Sequence, residues 1–161
     1  MTQLRTSQDV AAWNRAHARW LAADALIKAA DRFGPANRAD REYGYARVDA
    51  EARHGGGRIT DEQTKADLAR LYQRCDALGS AEYERYVLPA DSAAVELITT
   101  PAPTIEAVHI KLSVIEQLEL HNREDLPIDL FETIEADVRR LGFSGAADAL
   151  PVPIEREGVE C

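Results

Sequence analysis

A chain of 161 residues with 45% hydrophobic content can bury the core of one domain, and aromatic residues supply only 6% of it. The formal net charge of −9 argues against general nucleic-acid binding, which needs a basic footprint. Two cysteines, Cys75 and Cys161, are too few for a disulfide framework, and no apolar run approaches the roughly 20 residues that cross a bilayer. The opening MTQLRTSQDV has no hydrophobic signal segment. These features together predict a cytoplasmic protein.

The first helix is predicted from Thr6 or Ser7, either of which can cap, to Phe33, ahead of Gly34 and Pro35. Gly34 is expected to supply a left-handed cap there. Val10, Trp13, His17, Trp20, Leu21 and Ile27 recur at three- and four-residue spacing, one stripe of a helix roughly 40 Å long at about 1.5 Å per residue. A second helix is expected over 38–53, with Gly44 inside it and His54-Gly55-Gly56-Gly57 ending it.

Thr60-Asp61-Glu62-Gln63 has the form of a capping box, and Leu68, Leu71, Tyr72, Cys75 and Leu78 follow as a third stripe closed by Gly79. Residues 81–99 read as a fourth helix, kinked or broken at Pro89, which lacks a donor and crowds the preceding turn. After the stiff connection Thr100-Pro101-Ala102-Pro103-Thr104, the residues Ile105, Val108, Leu112, Ile115 and Leu118 form a fifth stripe. A sixth helix is expected from about 125–127 and carries Leu130, Ile134, Val138 and Leu141. The fold class is therefore an all-α bundle of five to six helices over residues 1–142, with a loose, acidic tail over 143–161 that contains Pro151 and Pro153.

Pro101-Ala102-Pro103-Thr104, Lys111 seven residues after the threonine, and Asp137-Val138-Arg139-Arg140-Leu141 make a pattern. It resembles one in small, uncharacterised helical proteins of alphaproteobacteria and their prophages. Ala107 stands where that pattern has glycine. The resemblance implies a helical fold and a lineage. From the residues themselves, Thr104 suits an N-cap, and Asp137 and Arg140 can pair on one helix surface.

Two pairs carry the sharpest chemical signal: Glu51 with His54, and Glu106 with His109. Glu and His three apart on a helix project to one side, and di-iron or di-manganese bundles use two such motifs with further glutamates. The triple glycine beside His54 and the lack of inward carboxylates elsewhere count against that site. Gly142-Phe143-Ser144-Gly145 misses the nucleophile-elbow spacing, and Cys75 sits on an apolar stripe without an activating neighbour.

Charge is polarised along the chain. Residues 1–60 carry ten Lys or Arg against seven Asp or Glu, while 61–161 carry nine against twenty-one. His17 and Asp24 interrupt the Trp13 and Trp20 seam, as polar groups that fix helix register do. The leading expectation is a non-enzymatic interaction or accessory protein, a homo-oligomer or the binder of a protein partner, with Trp13, His17, Trp20 and Asp24 as interaction residues. The alternatives are a carboxylate-histidine metalloprotein and an acidic mimic that blocks a DNA-binding protein.

Overall fold

A computed structural model of the chain describes residues 7–56, 58–123, 126 and 128–142. The described residues are helical, with no strand among them. Six α-helices occur in order: α1 (Ser7–Phe33), α2 (Pro35–Arg53), α3 (Glu62–Glu82), α4 (Leu88–Thr99), α5 (Ile105–Gln117) and α6 (Leu130–Arg140). A π-helical turn, Tyr83–Val87, joins α3 to α4, and a short 3-10 turn, Leu120–Asn122, follows α5. Residues 62–99 are thus one unbroken helical stretch, and a single residue separates α1 from α2. Among the described residues the α-helices run in four stretches, 7–53 with Gly34 between its two helices, 62–99, 105–117 and 130–140, where the sequence suggested five or six separate helices.

The corrections have local causes. Gly34 is extended (φ −64°, ψ 161°) and not left-handed, because it ends one helix and caps the next. Its N–H donates to Ala30 O at 2.7 Å, and its carbonyl accepts from Arg38 N at 3.2 Å. Pro35, with no donor to lose, takes the first position of α2, so that helix begins three residues earlier than expected. Glycine is required at 34 by close approach. A Cβ would lie 2.4 Å from Ala30 O and 2.5 Å from Glu82 Oε1. That same Glu82 oxygen accepts the Ala36 N–H at 2.9 Å, so a side chain 46 residues away satisfies one orphan donor of α2.

Pro89 produces no break. The π turn widens the ladder just upstream, with Leu88 N–H donating to Tyr83 O, and displaces the carbonyls that the proline ring would strike. Gly79 likewise lies within α3. The cap of α3 is Asp61, whose side chain accepts from Thr64 N at 2.7 Å, one residue beyond the threonine of the expected box. These bonds hold the Asp61 carboxyl below its ordinary range. The last helix starts at Leu130, where Asp129 accepts from Glu132 N at 2.8 Å, and the expected start at 125 and 127 lies outside the described residues. The tail over 143–161 also lies outside them.

The chain divides into two compact units, one from its start to Trp13 together with Ile98 onward, the other from Asn14 to Leu97. In the first, Trp13, Ile98, Ala102, Ala107, Val108, Val114, Ile115 and Leu120 are buried. In the second, the buried apolar residues are Trp20, Leu97 and six alanines: Ala16, Ala39, Ala50, Ala90, Ala93 and Ala94. There α2 packs along α3, and Tyr43 meets Tyr72 edge-on at 5.6 Å. Alanine faces let helix axes approach closely and leave little apolar area per contact.

Gly34→Ala should destabilise the protein by about 1–3 kcal/mol through overpacking. Gly44→Ala, in mid-helix with nothing within 4 Å of the new Cβ, should raise stability by about 0.5–1 kcal/mol. Urea unfolding of both variants checks the pair, and equal effects would refute the close-approach account.

Candidate functional site

The most unusual side chain among the described residues is Lys111. It has 0% exposure, and it stands on the face of α5 that also buries Ala107, Val108, Val114 and Ile115. Thr104 sets the start of that helix, its Oγ1 accepting from Ala107 N at 3.2 Å. Helical spacing then places position 111 between 108 and 115 on the inward seam. The expected stripe had Leu112 there, but Leu112 is 44% exposed.

An ammonium removed from water needs every donor met. Lys111 Nζ donates to Asp137 Oδ2 at 2.5 Å and to Ile98 O at 2.6 Å, and it lies 5.8 Å from the centre of the Trp13 ring. Asp137, 4% exposed on α6, uses its other oxygen to accept from Ala102 N at 2.9 Å and from Arg140 Nη2 at 3.0 Å. Arg140 Nη2 also donates to Ala102 O.

These bonds close on the 99–104 connection. Helix α4 ends at Thr99, so the Ile98 carbonyl falls among its orphan acceptors. Its natural partner would be the N–H of residue 102, which Asp137 takes instead, and Lys111 supplies the missing donor. Burial pushes the Lys111 amine below its usual 10.5; the Asp137 carboxylate opposes that shift and Arg140 adds to it. No buried side-chain nitrogen or oxygen lacks a partner among the described residues. The pair forms the floor of a cleft of about 350 Å³ walled by Thr99, Pro101, Thr133 and Arg140. With its carboxylate, carbonyl and ring partners in place, Lys111 acts as a clamp holding the α4–α5 connection to α6.

The residues singled out from sequence fall as follows. Glu51 is exposed and faces Arg47 at 3.6 Å, and His54, the C-cap of α2, has Nδ1 2.9 Å from Ala50 O. Glu106 and His109 are exposed on α5. The first pair belongs to one compact unit and the second to the other, and among the described residues no three His, Cys, Asp or Glu side chains converge as a metal site. Trp13 and Trp20 are buried at 5% and 3% exposure, and His17 is half-buried. Asp24 bonds Lys28 on its own helix at 2.7 Å. Cys75 is half-buried, its Sγ 3.9 Å from Asp40 Oδ1.

The sequence pattern includes Lys111 and pairs Asp137 with Arg140, but apolar periodicity gives Lys111 no place in the core. The signal was present: positions 104, 108, 111, 115 and 118 keep helical spacing, with a lysine at the centre. No family model, curated protein or solved structure matches this chain.

Removing one partner of a buried pair strands the other's charge. Lys111→Met and Asp137→Asn should each cost about 3–5 kcal/mol, and the double variant less than their sum. The pH dependence has a definite sign. With the folded value depressed, the unfolded chain binds the proton more tightly, so stability rises with pH between the folded value and 10.5. Urea titrations across alkaline pH should show that rise in the parent relative to Lys111→Met, and parallel curves would refute it.

Proposed function

We propose that this is a non-enzymatic helical protein that works by protein–protein contact, first of all by self-association. One observation carries the reading. The unit from Asn14 to Leu97 exposes Leu21, Leu26, Phe33, Tyr45, Val48, Tyr72, Tyr83 and Leu88, while burying alanines, Trp20 and Leu97. Apart from Trp20 and Leu97 its buried apolar residues are alanines, while many of its large apolar side chains face water.

Scattered exposed leucines are ordinary on any protein. Here the imbalance runs through whole helices. No residue of α3 is buried, α2 buries Ala39 and Ala50, and Phe33 and Tyr45 are each 75% exposed. A unit of this kind gains most of its remaining hydrophobic stabilisation when another surface covers it, at about 25 cal/mol per Å². Exposed ion pairs such as Arg19–Glu96 (2.7 Å), Arg74–Glu42 (2.9 Å) and Arg53–Asp49 (2.8 Å) add solubility and little stability.

Native mass spectrometry of the full chain tests this directly. Integer multiples of 17.8 kDa that grow with concentration are expected. A monomer at every concentration up to about 50 µM, where modest specific dimers already form, would overturn self-association.

A further inference from the structure

We infer that the cleft above the Lys111–Asp137 pair is a binding site for a small organic carboxylate, a monoanion with a short hydrocarbon body, held by Arg140. The charge count motivates it. Lys111 and Arg140 both bond Asp137, at 2.5 Å and 3.0 Å, so two cations share one carboxylate. The cluster keeps one positive charge beyond what it neutralises. Arg140 repels Lys111 across the shared acid, and the burial of Lys111 limits the screening that water can give. An anion in the cleft would offset a cost that the described residues leave standing.

The free donors of the cluster belong to the same side chain. Arg140 bonds Ala102 O and Asp137 Oδ1 from Nη2 alone, which commits both hydrogens of that nitrogen. Its Nε and Nη1 have no partner among the described residues. The side chain is 30% exposed and walls the cleft. A guanidinium in this position forms charge-assisted bonds to a carboxylate, the stronger kind of hydrogen bond.

Size and lining select the class of ligand. A volume of about 350 Å³ stands at the small end of ligand sites. Asp137 is the only acid lining the cleft, and both of its oxygens are already accepting. Thr133, another lining residue, gives its hydroxyl proton to Asp129 O at 2.6 Å and has none to offer a ligand. Donors for an anion therefore come from one guanidinium, which suits the two oxygens of a carboxylate. Phosphate would bring more negative charge than the cluster lacks, and oxygens that no donor meets. The ring of Pro101 and the methyl group of Ala136 supply apolar wall for a hydrocarbon body. All these residues belong to one compact unit.

The test is calorimetric titration of the full chain with butyrate, butyramide and inorganic phosphate at constant ionic strength, with circular dichroism of every variant. Butyrate should bind once per chain with a Kd of about 1 mM, in keeping with so few atoms. Butyramide, which has the same shape without the charge, and phosphate should each bind at least about 10-fold more weakly. Arg140→Gln should weaken butyrate by about 10-fold or more. Ala136→Leu, at an exposed position that lines the cleft and takes no part in the clamp, should fill the site and abolish binding with helicity unchanged.

Should Arg140→Gln lose helicity, Ala136→Leu and the butyramide comparison decide. No saturable binding of butyrate up to about 50 mM overturns the site. Equal affinity for butyramide overturns the part played by charge, and equal affinity for phosphate overturns the carboxylate class. Undiminished binding in a folded Ala136→Leu overturns the cleft as its location.

Discussion

The buried Lys111–Asp137 pair sets the geometry of the unit that contains it. Two opposite charges at 2.5 Å with almost no solvent contact are tolerable only when their remaining donors and acceptors are met, and here the backbone meets them. Ile98 O, Ala102 N and Ala102 O are fixed by Lys111, Asp137 and Arg140 respectively. The charges therefore specify where α4 ends, how the chain turns through Pro101 and Pro103, and against what α6 lies. A hydrocarbon pair of similar volume could fill the space, but it would leave Ile98 O and Ala102 N without these partners.

Around that clamp the unit has a conventional apolar core of Val108, Val114, Ile115, Leu120 and Trp13. The Asn14–Leu97 unit is built on another principle. Its helices meet through alanines, which fix distance well and contribute little area, and its specific devices sit at helix ends. Glu82 reaching Ala36 N across the space beside Gly34, and Asp61 holding Thr64 N, are examples. The π turn serves the same end. It carries one helix through Pro89, so that Ala90, Ala93, Ala94 and Leu97 continue a buried face without a loop.

How much of this was legible in the sequence depends on the range of the interaction. The helical class, the ends of α1, the start of α5 at Thr104 and the stop at Arg53 follow from local chemistry and are readable. The extended Gly34, the unbroken passage through Pro89 and the cap at Asp61 are not legible because they depend on partners or register that a local motif leaves open. Gly34 answers to Glu82, far along the chain, and the proline is relieved by a one-residue change of ladder. The burial of Lys111 is not legible because an apolar template skips a lysine and prefers the leucine beside it. The Thr104, Lys111, Asp137 and Arg140 pattern was visible as spacing, but its meaning is a closure between two helices and a connection. The Glu51–His54 and Glu106–His109 pairs show the converse, since correct spacing on two helices says nothing about whether those helices converge.

Helix α1 ties the stability argument to the functional one. Its Trp-bearing side is committed to the chain's own interior, so the residues that looked most like an interaction surface are already used for packing. What remains on its other side is apolar, acid-free and ended by an aromatic ring. Nothing in folding the single chain requires Leu26 or Phe33 to be apolar at 55% and 75% exposure. The alanines at 18, 22, 25 and 29 could be glutamate, lysine or glutamine at no cost in helix propensity large enough to forbid it. A sequence with 29% charged residues had ample polar material for that face and placed its three α1 carboxylates elsewhere. That distribution supports the proposal that the protein works by self-association.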